Sequence, residues 1–271
     1  MFLKTLSLRH FRNYQEQIVE FTAPKTILVG NNAQGKSNLL EAVELLATLR
    51  SHRTSRDKDL VKDEESLAQV SGSLKREFGV SELILTLRRN GRRTVNLNSE
   101  NLRRQMDFLG VLNAVEFSSL DLDLVRGGPE NRRRWLDTLL IQLEPVYAHI
   151  LQQYQKVLRQ RNAFLKSNSE TLQEKSVLSQ LALWDTQLVV TGTRVIRRRE
   201  RAIQRLAPIA KLWHSNISAS TEHLQIRYAP NIPLSETQQG EVQQAFLDKI
   251  QQRTVAEIHQ GTTLVVPHRD E

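Results

Sequence analysis

One stretch near the N-terminus has the residue types and the spacing that bind phosphate. It satisfies the pattern G-x-x-x-x-G-K-[ST], and its members are Gly30, Asn31, Asn32, Ala33, Gln34, Gly35, Lys36 and Ser37. Glycines let successive backbone N–H groups point at phosphate oxygens, and the start of a following helix adds its positive end. Lys36 can reach the β- and γ-phosphates, and the Ser37 hydroxyl can ligate Mg²⁺. The stretch therefore predicts an ATP site with a magnesium ligand at Ser37.

The elements on either side of this loop are those that phosphate binding requires. The apolar residues 26–29 predict a buried strand before it, and the apolar spacing from Leu39 predicts a helix that ends near Thr48. A strand, a glycine loop and a helix in this order favour a phosphate-binding loop. The alternative is a glycine-rich turn that merely begins a core helix.

Composition narrows the class of protein. The chain has 271 residues, 39% of them hydrophobic, and no cysteine, so disulfides and thiolate metal sites are excluded. The N-terminus lacks the apolar core of a signal peptide, and no apolar run reaches membrane-spanning length, so we expect a cytoplasmic protein without a membrane partner. The net charge of +8 favours a polyanion partner such as nucleic acid, although a soluble protein can be basic without one.

The rest of the first half of the chain has the alternation of β-structure. Strands are predicted over residues 2–10, 15–21 and 67–97, with a hairpin turn at Asn90-Gly91, and a further strand over 112–117. Four arginines surround the hairpin tip, where they could contact a phosphate backbone or simply be solvated.

The second half is dominated by helical spacing. Gly127-Gly128-Pro129 predicts a helix start, and Arg132–Arg134 follow at the helix end where cations are unfavourable unless a polyphosphate docks there. Beyond Pro145, two long apolar stripes joined by a polar loop at 166–176 predict an antiparallel helical hairpin. The arginine run 197–199 is more typical of a solvated face than of a DNA site. A strand over 223–228 and a helix over 241–258 complete the chain.

Four motifs, in this order along the chain, resemble those of a known family. They are Phe11-Arg12-Asn13-Tyr14, the phosphate loop running into Leu39-Leu40-Glu41-Ala42, the segment Gly-Gly-Pro-x-x-Arg-Arg-x-Trp-Leu-Asp at 127–137, and Val266-Pro267-His268-Arg269-Asp270. Together they are similar to the RecF family of bacterial recombination mediators, which are ABC-type ATPases related to SMC proteins.

The resemblance implies a fold and a domain plan. The fold is an α/β P-loop NTPase of the ABC and SMC-head type, with a mixed-sheet lobe and a helical lobe that carries a short antiparallel helical hairpin. Residues 1–117 are expected to form lobe I with the ATP site, and residues 118–222 lobe II with the signature motif. Residues 223–271 are expected to return to lobe I without the Walker B region.

The resemblance also implies a function and its residues. Family members are ATP-gated homodimers that clamp single-stranded DNA and linear double-stranded DNA, and with other recombination mediator proteins they load recombinase at single-stranded gaps during replication, repair and the SOS response to DNA damage. Arg12 and Asn13 are expected near the nucleotide, in addition to the phosphate loop. The contact with the partner's ATP is assigned to Gly128, Pro129, Arg132 and Arg133.

Two departures from the family pattern stand out. Gly128 occupies a position where related signatures carry Ser, and Asp270-Glu271 do not follow the apolar strand that an ABC ATPase uses to hold Mg²⁺ and orient water. The chain therefore looks cut short, and no catalytic residue is assigned. Complete members are implied to be weak DNA-stimulated ATPases. We expect this chain to bind nucleotide weakly, to be poorly soluble and not to hydrolyse ATP.

Two other functions are compatible with a phosphate loop. A small-molecule P-loop kinase would need a lid and an acceptor pocket, against which the long hairpin and the arginine-rich signature argue. A non-catalytic DNA-binding module would retain the loop without using it.

Overall fold

The computed structural model describes residues 1–77, 79–168, 175–232 and 239–271. The chain forms two compact units, of which the first contains Met1–Ser119 and Ile141–Pro145 and the second contains Leu120–Leu140 and Val146–Glu271. This division differs from the predicted one, because residues 223–271 belong to the second unit. In the described ranges, no helix combines the length and the apolarity needed to cross a membrane.

The first unit is built on a six-stranded sheet. Its strands are β1 (Phe2–Arg9), β2 (Glu16–Glu20), β3 (Leu67–Arg76), β4 (Gly79–Arg88), β5 (Thr94–Leu97) and β6 (Glu100–Asn101), in the order β2-β1-β3-β4-β5-β6. All five neighbouring pairs are antiparallel. One face is buried because apolar residues alternate along the central strands, as Leu83, Leu85 and Leu87 do in β4. The antiparallel pairing of β4 with β5 confirms the predicted hairpin at Asn90-Gly91.

A single long helix covers the buried face of this sheet. Helix α1 spans Lys36–Thr48 and buries Ala42, Leu45 and Leu46, so the predicted end near Thr48 is confirmed. It approaches β3 closely at Gly72, where an added Cβ would lie 3.0 Å from a methyl carbon of Leu46. This contact fixes the helix that begins at the phosphate loop against the sheet.

Three predicted strands are not strands in the structure. Residues 26–29, 112–117 and 223–228 join no ladder, and the only isolated bridge outside the named strands in the described part of the chain pairs Phe11 with Val61. Several of their apolar side chains lie outside the core, since Ile27 is 86%, Val29 is 89% and Phe117 is 90% exposed, whereas Leu112 is buried. A strand requires a hydrogen-bonded neighbour, and an apolar run alone does not supply one.

The second unit is helical. It contains α2 (Asp123–Arg126), the first part of α3 (Pro129–Leu143), α4 (Val146–Ser167), α5 (Lys175–Ile217) and α6 (Gln239–Gln260). The antiparallel packing of α4 and α5 confirms the predicted hairpin, and most of its loop at 166–176 lies outside the described residues. The helix predicted over 241–258 is confirmed as α6.

Close packing and a buried ion network hold residues 239–271 in this unit. At Gly192 of α5 an added Cβ would lie 2.6 Å from the ring of Phe246 in α6, so glycine permits the approach of the two helices. The buried Arg161 of α4 pairs with Asp185 of α5 and Glu257 of α6, each at 2.7 Å. These contacts explain why the last segment packs with the helices.

Candidate nucleotide-binding site

The phosphate loop has the backbone form that anion binding requires. Ala33 and Gly35 have left-handed φ angles of 64° and 102°, and α1 begins directly afterwards at Lys36. The first turn of α1 contains no acidic residue, and the Ser37 side chain is exposed there. The Lys36 ammonium donates to the carbonyl oxygens of Gly30 and Asn31, both at 2.6 Å. The loop thus places one cation and the positive end of a helix around a small cradle.

Two side chains from the turn between β1 and β2 support this loop. A Cβ added at Gly35 would lie 2.7 Å from the Tyr14 hydroxyl and 2.8 Å from Asn13 Oδ1, so only glycine fits. Asn13 Oδ1 accepts a hydrogen bond from Asn38 Nδ2 at 2.8 Å. Partial burial raises the pKa of the Tyr14 hydroxyl. The structure therefore brings Asn13 to the loop, and the place near the nucleotide that the resemblance implies for it stays a prediction.

Arg12 lies next to these residues in the chain, but its guanidinium binds Glu41 and the Asp59 carbonyl. Its Nε donates to Glu41 Oε2 at 2.9 Å, its Nη2 to Glu41 Oε1 at 2.5 Å, and its Nη1 to the Asp59 carbonyl at 2.8 Å. All three nitrogens are thus engaged by protein acceptors. The place near the nucleotide that the resemblance implies for Arg12 stays a prediction.

Three residues of this region were not recognised in the sequence: Glu41, Ser51 and Arg53. Ser51 Oγ donates to Glu41 at 2.6 Å, and Arg53 Nη1 donates to Glu41 at 3.1 Å and to Asn38 Oδ1 at 2.6 Å. Burial alone would raise the pKa of Glu41, but the hydrogen bonds from Arg12 and Ser51 and the two arginine charges hold it below its ordinary value. The sequence could have indicated that Glu41 is buried, because it lies four residues before Leu45 and therefore on the same, apolar face of α1.

The signature segment forms the turn that the sequence predicted. Helix α2 ends at Arg126 and α3 begins at Pro129. A Cβ on Gly127 would lie 2.5 Å from the Asp123 carbonyl oxygen, whereas a Cβ on Gly128 would meet nothing within 4 Å. Gly127 is therefore required by its surroundings. Gly128 has room for the side chain that related signatures carry.

The arginines that follow this turn have partners within the second unit. Arg132 Nη1 donates to the Gly127 carbonyl at 3.1 Å, and Arg133 Nη1 donates to the Asp270 carbonyl at 2.7 Å. Arg134 pairs with Glu130 one turn away at 2.9 Å. The contact of Gly128, Pro129, Arg132 and Arg133 with a partner's nucleotide stays a prediction.

A second buried charge cluster lies behind the signature helix, centred on Arg199. Its guanidinium donates to both carboxylate oxygens of Asp137 at 2.9 Å, to the Pro267 carbonyl at 2.6 Å, and to Asp270 at 3.5 Å. The Tyr228 hydroxyl also donates to Asp270. Burial and the nearby arginines lower the pKa of His268 to about 4, and the neutral ring shares a hydrogen bond of 3.1 Å between its Nδ1 and the Tyr154 hydroxyl. The Val266–Asp270 motif is thus part of the support of α3.

The arginines of the hairpin tip are mostly used by the fold. Arg93 pairs with Asp57, Arg89 donates to the carbonyls of Glu65 and Lys62, and Arg88 donates to the Arg92 carbonyl. Arg92 itself is exposed. Most of the arginines at this tip are therefore bonded within the fold, which argues against the hypothesis that the tip forms a phosphate-binding patch.

Comparison with known proteins extends this picture. A family described as an AAA domain matches residues 5–254. The DNA replication and repair protein RecF of Nostoc punctiforme is 75% identical over 271 residues, which are 100% of this chain and 72% of that protein. The protein of the same name from Trichormus variabilis is 71% identical over the same shares.

The chain belongs to the RecF family. A solved structure described as the recombination mediator protein RecF with ATP in the RecFOR pathway shares 30% identity and a TM-score of 0.91, covering 99% of this chain and 71% of that one. The likeness confirms the RecF resemblance and the P-loop NTPase fold. These RecF proteins are longer than the region they share with this chain.

Proposed function

We propose that this chain is an ATP-dependent DNA-binding protein of DNA replication and recombinational repair. The observation that carries the proposal is the phosphate loop, in which Lys36 and the start of α1 face one cradle, in a chain 75% identical to a RecF protein. Its ligand is ATP, held by backbone N–H groups of residues 30–37 and by the Lys36 ammonium.

Magnesium is assigned to the Ser37 hydroxyl. This side chain is exposed in the first turn of α1, next to the Lys36 ammonium that would contact the same phosphates. A hydroxyl oxygen suits Mg²⁺, which is bound in NTPases through few protein oxygens together with substrate phosphates and water. When bound, the ion neutralises charge on the β- and γ-phosphates, while Ser37 supplies one oxygen that orients it.

The further parts of the proposal concern partners and location. The turn at Gly128-Pro129, with Arg132 and Arg133 behind it, is assigned to a second copy's nucleotide, so that ATP stabilises a homodimer while its γ-phosphate is attached. The net charge of +8 supports a DNA partner, and the dimer is proposed to clamp single-stranded or linear double-stranded DNA in the cytoplasm. Other recombination mediators are its proposed protein partners.

The test of the nucleotide site is the substitution Lys36→Ala. It removes the one cation that the loop directs at phosphate, so we expect ATP to bind at least about tenfold more weakly, which corresponds to roughly 1.4 kcal/mol. Binding is measured by isothermal titration calorimetry with Mg-ATP. Lys4→Ala, at an exposed position of β1, is the matched control and should leave the affinity unchanged. Equal affinities in Lys36→Ala and the parent would reject the site.

A further inference from the structure

The Glu41 carboxylate is the most completely buried anion beside the candidate site. Its residue is 0% exposed, yet it accepts hydrogen bonds from Arg12, Ser51 and Arg53. These donors come from the turn after β1 and from the segment after α1, so one carboxylate joins three separate parts of the chain. We refer to Glu41 with Arg12, Ser51 and Arg53 as the Glu41 cluster.

The cluster holds a strained piece of backbone. Arg12 has a left-handed φ of 53°, a conformation that is unfavourable for a non-glycine residue. Its N–H donates to the Leu60 carbonyl at 2.9 Å, and its side chain is held by Glu41 and the Asp59 carbonyl. Because Arg12 is fixed in this form, the two residues that follow it, Asn13 and Tyr14, are directed onto Gly35.

From the cluster, two short paths lead to the phosphate loop. Asn13 Oδ1 and the Tyr14 hydroxyl pack against Gly35, which leaves no room for a Cβ there. Asn38, the residue after Ser37, donates to Asn13 at 2.8 Å and accepts from Arg53 at 2.6 Å. Both ends of the segment Gly35–Asn38 are thus in contact with residues whose places depend on Glu41.

We propose that Glu41 is a positioning residue of the nucleotide site. Its carboxylate fixes Arg12 and Arg53, and through Asn13, Tyr14 and Asn38 it holds the N–H groups of Gly35–Asn38 in the form that binds phosphate. The inference rests on the proposed function, since it concerns the same loop. It assigns Arg12 to the support of the loop and not to contact with ATP.

The principal test is Glu41→Gln, which keeps the size of the side chain and removes the charge that holds the arginines. Glu44→Gln is the matched control, because Glu44 lies on the same helix and binds His52 at 2.7 Å and not the cluster. Affinity for Mg-ATP is measured at a temperature where circular dichroism shows every variant to be folded. We expect a loss of about tenfold for Glu41→Gln and less than twofold for Glu44→Gln, because loosening a positioned site weakens binding without removing a contact to the ligand.

Hydrogen exchange supplies a readout that general destabilisation would not give. In Glu41→Gln the amides of Gly35–Asn38 should exchange faster, whereas amides of β4 should keep their rates. Uniformly faster exchange throughout the first unit, with unchanged ATP affinity, would overturn the proposal.

A second variant keeps the test valid if Glu41→Gln does not fold. Asn38→Ala cuts one of the two paths to the loop without leaving a buried charge, and should weaken ATP binding several-fold. In a folded double variant the loss should not exceed that of Glu41→Gln alone, since Glu41 acts through both paths and Asn38 lies on one of them; additive losses would contradict this. A parent chain that binds no ATP removes the proposed function and this inference together. A parent that binds, with Asn38→Ala and any folded Glu41→Gln binding equally well, removes only the inference.

Discussion

The buried charge clusters around Glu41 in the first unit and around Arg199 in the second unit have opposite composition. In the first unit a buried carboxylate, Glu41, is surrounded by cations, and one of these, Arg53, has a side chain that is 41% exposed. In the second unit a buried guanidinium, Arg199, is surrounded by Asp137, Asp270 and the Pro267 carbonyl. The first cluster reaches the solvent beside a phosphate loop, whereas the second is enclosed behind α3.

This difference indicates different roles. A buried ion whose partner is removed costs several kcal/mol, whereas an exposed partner can be replaced by water. The Arg199 cluster should therefore matter mainly for the stability of its unit. The Glu41 cluster should matter more for the form of the loop. All three tryptophans, Trp135, Trp184 and Trp213, lie in the second unit, so tryptophan fluorescence reports on that unit alone.

The largest expected effect comes from removing the central cation of the second unit. Arg199→Met leaves Asp137 without its bidentate partner and takes one of several partners from the buried Asp270, so we expect the second unit to lose about 3–5 kcal/mol of unfolding free energy. Urea unfolding followed by tryptophan fluorescence measures this loss. Arg194→Met, at an exposed position of the same helix, is the control and should change little. A loss below about 1 kcal/mol would show that the cluster is not a stability element.

The second prediction concerns how the stability of the second unit depends on pH. Because the pKa of His268 falls from 6.5 to about 4 on folding, the unfolded chain binds a proton in this window that the folded chain does not. The stability contribution of neutral His268 is present above pH 6.5 and is lost as pH falls towards 4, by about 3 kcal/mol in total. The raised pKa of the buried Asp270 acts in the opposite direction at the acid end.

The measurement is therefore a difference between two proteins. Tryptophan-monitored unfolding between pH 7 and pH 4 should show a smaller acid loss in His268→Gln than in the parent. His259→Gln, at an exposed position near the end of α6, should follow the parent curve. Identical curves for all three proteins would mean that His268 is not the titrating group.

The smallest expected effect comes from removing an arginine of the Glu41 cluster, as Arg199→Met removes one from the cluster of the second unit. Arg53→Met removes a partner of Glu41, but Arg12 and Ser51 remain bonded to the carboxylate, and water can approach from the exposed side. We expect less than about 1 kcal/mol of lost stability in the first unit, seen as hydrogen exchange of β3 amides, and no shift of the tryptophan transition. A loss as large as that of Arg199→Met would abolish the distinction between the clusters.

The helices and strands that could be predicted from the sequence are those that a local periodic pattern of apolar residues or a turn motif determines. The alternation in β4, the apolar face of α1 and the Gly-Gly-Pro start of α3 each determine an element within a few residues, and all three are confirmed. The phosphate loop was also recognisable, because its glycines and Lys36 stand at fixed spacing.

What the sequence did not predict depends on distant partners. Residues 26–29 have strand composition, but pairing is decided by a neighbouring strand that local pattern does not supply. Likewise Arg199 appeared to be part of a solvated arginine run, although its bond to Asp137 spans 62 residues and buries it. Glu41 was read only as part of a motif, since its role depends on Arg12 and Arg53 folding back onto α1.

The position of Lys36 has a consequence for the rate of binding. Two of the three ammonium donors are already given to the carbonyl oxygens of Gly30 and Asn31. An arriving triphosphate therefore meets a cation that is occupied by the loop itself, and the ammonium must exchange neutral oxygens for charged ones during association. Charged acceptors form the stronger bonds, so the exchange is downhill once begun. We therefore expect association at this loop to replace the carbonyl partners of Lys36 by phosphate oxygens, where a lysine without protein acceptors would give up water instead.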